Sequence, residues 1–482
     1  MTATQTAERD VVDVFGRKFE YKWLVAAIYV GAVFIDILDI TIVNVALPQL
    51  GRQLRSDAVE WVVVGYTLAL AVSIPVAGWW SDRVGTKRAF QTSLAVFMFG
   101  SLACGFANSM GMLIGFRVLQ GIGGGMLTPI GLSMLYRAFP PAERVRVAVV
   151  ITIPTLLAPA LGPILGGLLV GTGEAGWRWI FWVNVPICII VLLAGSKVLR
   201  EYREPSAGRF DVAGFVLSGA GLALSLYALS EGPRIGWLAA GTLLPGIVGV
   251  ILVVTFVFVE LRVDQPMLDL RLLKNRGFRS ANIVMNVAMA SFFGLLFVLP
   301  LYLQNYRGLS AIMSGLTTFP QALGVMISSQ IAGRIYKRVG PRRLITLGFG
   351  LSAAVILSFV TIGPNTNLWE IRGLMLARGL CMGLAFTPIQ ATAYATISPT
   401  DMGRASSIFS TLRQVFISVG VAAMSTLLAA YTNLVGTPKD PDSALTGYRV
   451  SIVVSMVLLV ISSACAWWMI KDEDAASTMA KS

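Results

Sequence analysis

Gly78-Trp79-Trp80-Ser81-Asp82-Arg83-Val84-Gly85-Thr86-Lys87-Arg88 closes one apolar stretch of the chain, and Gly333-Arg334-Ile335-Tyr336-Lys337-Arg338-Val339-Gly340-Pro341-Arg342-Arg343 closes another. The glycines, the first arginine and the closing basic pair recur at a constant offset of 255 residues. Agreement at one fixed offset reads as a duplicated half-chain rather than two unrelated basic loops. Working outward, six apolar stretches lie between residues 23 and 198, a run of 176 residues. A bilayer crossing takes about 20 residues, so the offset leaves room for two more helices between the halves. Segments 212–230 and 238–260 fill that room. The pattern is six helices, an inserted pair, then six more.

Composition agrees. Of 482 residues, 56% are apolar and 13% charged, with a mean hydropathy of +0.74. Soluble domains carry about 25% charged residues, so this chain cannot clothe a soluble surface. The expected class is an all-α integral membrane protein with fourteen transmembrane helices, near 23–48, 59–80, 88–108, 111–136, 146–171, 179–198, 212–230, 238–260, 280–303, 310–333, 343–362, 371–395, 405–432 and 449–470. These divide the chain into an N-terminal segment (1–22), a first bundle (23–198), the inserted pair with its linkers (199–278), a second bundle (279–470) and a tail (471–482). All eleven tryptophans fall near helix ends, where interfacial anchoring places them. Counting from the N-terminus through alternate loops to the tail gives 27 of the 38 Lys and Arg residues, against 8 in the other loops. The positive-inside rule then puts both termini in the cytoplasm and the protein in the cell membrane. The same asymmetry accounts for the net charge of +13 without a nucleic-acid partner.

Several chemistries are excluded. The chain has no histidine, so imidazole metal sites, His-dependent triads and imidazole proton relays are absent, and proton handling falls to carboxylates. Cys104, Cys188, Cys381 and Cys465 lie singly in apolar stretches, without disulfide or zinc spacing. No phosphate-binding loop of the G-x-x-x-x-G-K-[ST] type occurs, and residues 1–22 do not read as a cleaved signal. No cofactor or metal is expected beyond protons as coupling ion, no catalytic constellation is present, and the reading is of a monomer in a lipid bilayer.

Two carboxylates, Asp36 and Asp39, sit well inside a helix, unlike the other acidic residues. Each costs about 3 kcal/mol at bilayer depth. Spaced i, i+3, they share one helix face, and burial with mutual repulsion favours taking up a proton. The functional reading makes Asp39 the main proton carrier, with Asp36 a coupled second site or a contact for cationic substrate. The bland reading is a static pair neutralised by an arginine. Arg117, alone in mid-helix 4, is the natural counter-charge; a pair broken by protonation gives a two-state element. It could equally snorkel or cap carbonyls. Arg378 and Arg413 are weaker candidates of the same kind.

The motifs resemble the major facilitator superfamily, and within it the 14-helix drug:proton antiporter group. Gly78 to Arg88 looks like the G-x-x-x-D-R-x-G-x-[RK]-[RK] signature. Leu38-Asp39-Ile40-Thr41-Ile42-Val43-Asn44-Val45-Ala46-Leu47-Pro48 resembles the helix 1 motif, and Arg117-Val118-Leu119-Gln120-Gly121 the helix 4 motif. Gly162-Pro163-Ile164-Leu165-Gly166-Gly167 resembles the helix 5 antiporter motif, although Ala158 stands where a glycine is usual. Trp177-Arg178-Trp179-Ile180-Phe181-Trp182-Val183-Asn184-Val185-Pro186 fits the 14-helix group in particular. The resemblance implies the major facilitator fold, a proton-transfer role for Asp39 and Arg117, and a conformational gate at Gly78, Asp82, Arg83, Gly85, Lys87 and Arg88. In the second copy Lys337 replaces the aspartate, so that loop is expected to anchor rather than gate.

Gly162, Pro163, Gly166 and Gly167 read as close packing or as a hinge, Pro163 favouring the hinge. Candidate cavity residues are Asp36, Tyr66, Gln120, Asn282, Asn286, Phe293, Gln304, Gln390 and Arg413, each equally able to be packing. The expected activity is proton-coupled export of lipophilic, cationic small molecules by alternating access. The rivals are export of a metabolite, lipid or siderophore on the same fold, and a membrane sensor that transports nothing.

Overall fold

The computed structural model describes residues 11–14, 17–56, 59, 61–140, 143–173, 175–203, 210–264, 266–434, 437–438 and 441–479. Among them are fourteen helical units at the positions read from the sequence. The first bundle comprises α1 (Tyr21–Leu54), α2 (Trp61–Ser73 with Val76–Val84), α3 (Thr86–Gly105), α4 (Met110–Ala138), α5 (Arg144–Val170) and α6 (Gly176–Trp182 with Asn184–Val198). The inserted pair is α7 (Val212–Ile235) and α8 (Ala240–Glu260). The second bundle comprises α9 (Arg276–Leu301), α10 (Ala311–Thr318 with Pro320–Val339), α11 (Pro341–Ser358), α12 (Leu368–Tyr394), α13 (Met402–Tyr431) and α14 (Pro441–Met469). Ten helices are long and apolar enough to cross a membrane alone, and two bent pairs raise that to twelve. The units not so counted, α3 and α10, pack within their bundles. Short hairpins, Val11–Val14 with Arg17–Glu20 and Thr432–Leu434 with Thr437–Pro438, flank α1 and α14.

Local chemistry sets the helix limits. Ser109, Asp211, Asn275, Ser310 and Asn367 each accept a backbone N–H of the first turn that follows, satisfying a donor the helix cannot. Proline explains the breaks. α2 turns by 56° across Ile74 and Pro75, where the missing N–H interrupts the ladder; α10 breaks before Pro320, and α9 runs past Pro300 into a wide turn at Tyr302–Tyr306.

The repeat survives in three dimensions. A Cβ on Gly121 would meet the Tyr66 carbonyl and one on Gly125 the Leu70 carbonyl, while Gly379 and Gly383 stand equally close to the Gln321 and Val325 carbonyls. The same glycine notch thus seats α4 on α2 and α12 on α10.

Leu168, Ile190, Leu244, Phe258, Leu351 and Val460 belong to an exposed apolar outer surface, which suits a hydrocarbon surround. One tryptophan departs from the expected anchoring. Trp177 is fully buried with its Nε1–H donated to Gln53 Oε1 at 2.6 Å, so the end of α6 folds inward there. The tail is not free either. Asp472–Ala475 and Ala476–Met479 are helical turns, and Tyr336 and Thr478 share a buried hydroxyl contact of 2.8 Å.

The inserted pair lies against both bundles. Tyr227 of α7 stacks on Trp61 of α2, and Trp237, just beyond α7, donates to Thr426 Oγ1 of α13 at 3.1 Å. α7 therefore spans the seam between the two bundles rather than sitting apart from them.

Candidate functional site

Asp39 and Arg117 are both fully buried and paired, Arg117 Nη1 reaching Asp39 Oδ2. Gln120, one turn along α4, donates to Asp39 Oδ1 at 3.0 Å and accepts from Arg117 at 2.8 Å. Arg117 Nε donates to the Val62 carbonyl at 2.9 Å, and the guanidinium lies 4.1 Å over the Tyr66 ring. A further donor comes from the break in α6. Asn184 donates to Asp39 Oδ1 at 3.0 Å and to Ser101 Oγ at 3.1 Å, and Ser101 donates to the Phe181 carbonyl at 2.8 Å. Residues of α1, α2, α3, α4 and α6 thus join one buried network around the Asp39–Arg117 pair.

Asp36 stands one turn away in a different setting. Its Oδ1 accepts the Tyr66 hydroxyl at 2.5 Å, and a Cβ on Gly124 would intrude on both groups, so the glycine makes the room. No cation is hydrogen-bonded to it among the described residues. Arg413 of α13, half-buried, is within electrostatic range from the other bundle. The i, i+3 pair therefore divides into one neutralised acid and one held by a neutral phenol.

The Gly78 to Arg88 segment forms the seam between bundles. A Cβ on Gly78 would come within 2.9 Å of Ser407 Oγ and 3.1 Å of the Gly403 carbonyl, so α2 and α13 touch backbone to backbone. Asp82 sits by the start of α13, 3.9 Å from Arg404, and 3.8 Å from Arg137 at the end of α4. Arg404 also lies 3.8 Å from Asp269 in the linker before α9. Gly85 has φ 103°, a conformation that only glycine adopts without strain. Against it lies Glu201, accepting from Lys87 N at 2.9 Å and 3.7 Å from Arg88 Nε, while Lys87 Nζ donates to the Ser196 carbonyl at 2.6 Å. Arg83 is exposed and makes no described contact. The second copy repeats this cap: Gly340 has φ 84°, and Asp472 accepts from Arg342 N at 3.0 Å. Lys337 points outward there. More contacts close the same end, including stacked Tyr136 and Tyr394 rings 4.3 Å apart, Arg144 on the Tyr394 carbonyl, and Ser406 Oγ donating to the Pro129 carbonyl at 2.8 Å.

The helix 5 glycines serve packing and lie beside a bend. Positions for a Cβ on Gly162 and Gly166 fall on α1 at Thr41, Ile42 and Val45, and Gly167 faces Ile312 of α10. α5 bends by 41° between Pro159 and Ile164, next to Pro163. The suggested cavity residues are not gathered in one place. Tyr66 and Gln120 belong to the acid cluster. Asn282 donates to the Phe278 carbonyl of its own helix at 2.8 Å, Gln304 to Ser314 Oγ at 3.3 Å, and the Gln390 carbonyl accepts from Tyr136 in the closed end. Asn286 is buried in α9, and Phe293 meets Phe292 edge-on at 5.3 Å. Asn184, Ser101, Glu201, Asp472, Arg137, Arg404 and Asp269 were not foreseen; Asn184 lay within the quoted Trp177 to Pro186 motif, and Glu201 in the basic loop after α6.

Two duplicated helical bundles, an ion pair buried inside one, and a polar seam joining them at one end define a multi-pass membrane transporter. The chain belongs to the Major Facilitator Superfamily, whose profile matches residues 29–421. It is 39% identical over 402 residues to the Multidrug resistance protein B homolog of Mycobacterium tuberculosis, covering 82% of this chain and 74% of that one. It is 32% identical over 401 residues to the multidrug export protein EmrB of Escherichia coli, covering 82% and 78%. Among solved structures, the human organic anion transporter MFSD10 shares the fold with a TM-score of 0.67 at 15% identity, over 92% of this chain and 99% of that one.

Proposed function

We propose that the protein exports lipophilic, cationic small molecules across the cell membrane in exchange for protons, with both termini in the cytoplasm. The Asp39–Arg117 pair carries this reading: protonation removes the charge that holds the carboxylate to the buried guanidinium. Arg117 then keeps only the neutral oxygens of Gln120 and Val62, so proton binding is coupled to a rearrangement of α1, α4 and the break in α6. Asp36, with no cation bonded to it, is left to meet a substrate's positive charge. The relatives' names support export of drugs. A membrane potential of about 100 mV supplies about 2.3 kcal/mol per charge moved, a roughly 50-fold gradient, so no nucleotide is needed.

In this reading the Gly78 to Arg88 seam is the inner gate, closed here by Asp82 with Arg137 and Arg404. The test is ethidium efflux driven by a proton gradient in cells or vesicles. Wild type is expected to export, Asp39→Asn at equal abundance to lose its response to the gradient, and Asp36→Asn to lose preference for cations. Normal gradient-driven export by Asp39→Asn would remove the carrier role. Failure of wild type to move any drug in a broad panel would favour a metabolite, lipid or siderophore as cargo.

A further inference from the structure

Among the described residues three arginines are buried, and they differ in the acceptors they have found. Arg117 has Asp39, and Arg144 has the carbonyls of Tyr394 and Ile397. The third, Arg378 of α12, is fully covered, and its described acceptor is a neutral amide, Gln321 Oε1. Among the described residues its Nε and Nη2 have no hydrogen-bond partner, whereas Arg117 and Arg144 each leave one such nitrogen, and the guanidinium lies 5.1 Å from the Phe292 ring. A buried guanidinium without an anion is among the most expensive arrangements a bundle can keep. A leucine or methionine would fill the volume at no such cost.

The repeat sharpens the point. Gln321 follows Tyr66 by the 255-residue offset of the halves, and each carries a helix glycine pressed on its carbonyl. In the first bundle that position donates to an acid, Asp36. In the second it accepts from a base. Matching places in the two halves therefore present opposite poles. Phe292 meets Phe386 edge-on at 5.5 Å, and Phe386 meets Phe349 at 6.0 Å, so the basic pole is backed by aromatic rings.

We propose that Arg378, with Gln321 and Phe292, is an anion-recognising subsite that receives the carboxylate or similar oxyanion of an aromatic or lipophilic substrate. The proposal rests on the export reading and widens its substrate class to amphiphiles with an acidic end. Two of the groups against Arg378, Phe292 and the Gln321 amide, are side chains that turn about single bonds without unwinding a helix. An arriving carboxylate takes the two free N–H edges and neutralises the charge.

The test is equilibrium binding to the purified full-length protein in lipid nanodiscs, using 1-naphthoate and its uncharged methyl ester. Wild type is expected to prefer the acid over the ester by about tenfold or more, as a charged hydrogen-bonded contact gives. Arg378→Gln is expected to erase that preference, and Arg378→Lys to keep part of it. Equal binding of acid and ester by wild type, a comparison that needs no variant, overturns the proposal. So does an acid preference that survives in Arg378→Gln. Ethidium efflux by the same proteins separates the two readings: efflux without an acid preference sinks this subsite alone, and an Arg378-dependent preference without efflux sinks the exporter alone.

Discussion

Asp36 and Asp39 show how far a residue's identity predicts its setting. Their depth in a helix and the lone Arg117 could be read from the sequence, because charge in an apolar run is conspicuous. Which acid took the arginine could not. That depends on the direction α1 presents to α4 and on donors delivered by the broken α6. Asn184 was invisible as a partner since an asparagine near a helix end is ordinary, and only the break at Val183 turns it inward. The pair's energetics give a cycle. Removing one member of a buried ion pair costs about 3–5 kcal/mol, because the other is stranded. Arg117→Gln is therefore expected to lower thermal stability in detergent strongly. Adding Asp39→Asn to it should restore much of the loss while gradient-driven efflux stays abolished. A double variant no more stable than Arg117→Gln would show that the two groups do not act as a pair.

At the scale of helices, the sequence located all fourteen, and capping residues account for many of the starts. It missed the shape of several. Proline at positions 75 and 320 marked breaks that a hydropathy window averages away. It also missed the company kept by glycines, since the partner of Gly78 lies more than 300 residues along the chain. That contact is testable. In a background lacking the four native cysteines, Ser406→Cys, fully buried beside Pro129, should react slowly with a water-soluble maleimide. Gly78→Val places branches where Ser407 Oγ and the Gly403 carbonyl now sit, so it should speed labelling several-fold by parting α2 from α13. Unchanged labelling would mean that this contact does not hold the end shut.

For the whole molecule, duplication was legible in one pair of loops, whereas the conformation the halves adopt was not, because either arrangement uses the same helices. Nor did the sequence show that α7 lies across the seam. Arg404 joins three parts there: Asp82 of the first bundle, its own helix of the second, and Asp269 of the insert's linker. Its contacts are near 4 Å and its own side chain is partly exposed, so each is worth about 1 kcal/mol or less. Arg404→Gln should leave thermal stability nearly unchanged and still raise Ser406→Cys labelling, by less than Gly78→Val does. A large loss of stability would show instead that Arg404 is part of the fold's foundation.

The paired caps at Glu201 and Asp472 have a practical consequence. The first comes from a linker between helices, but the second comes from the segment that follows α14. An affinity tag or fluorescent fusion joined directly after α14 would replace the carboxylate on the start of α11 and the threonine on Tyr336. Joined after Met479, it would leave both in place, so the choice of junction decides whether a reporter is a passenger or a mutation.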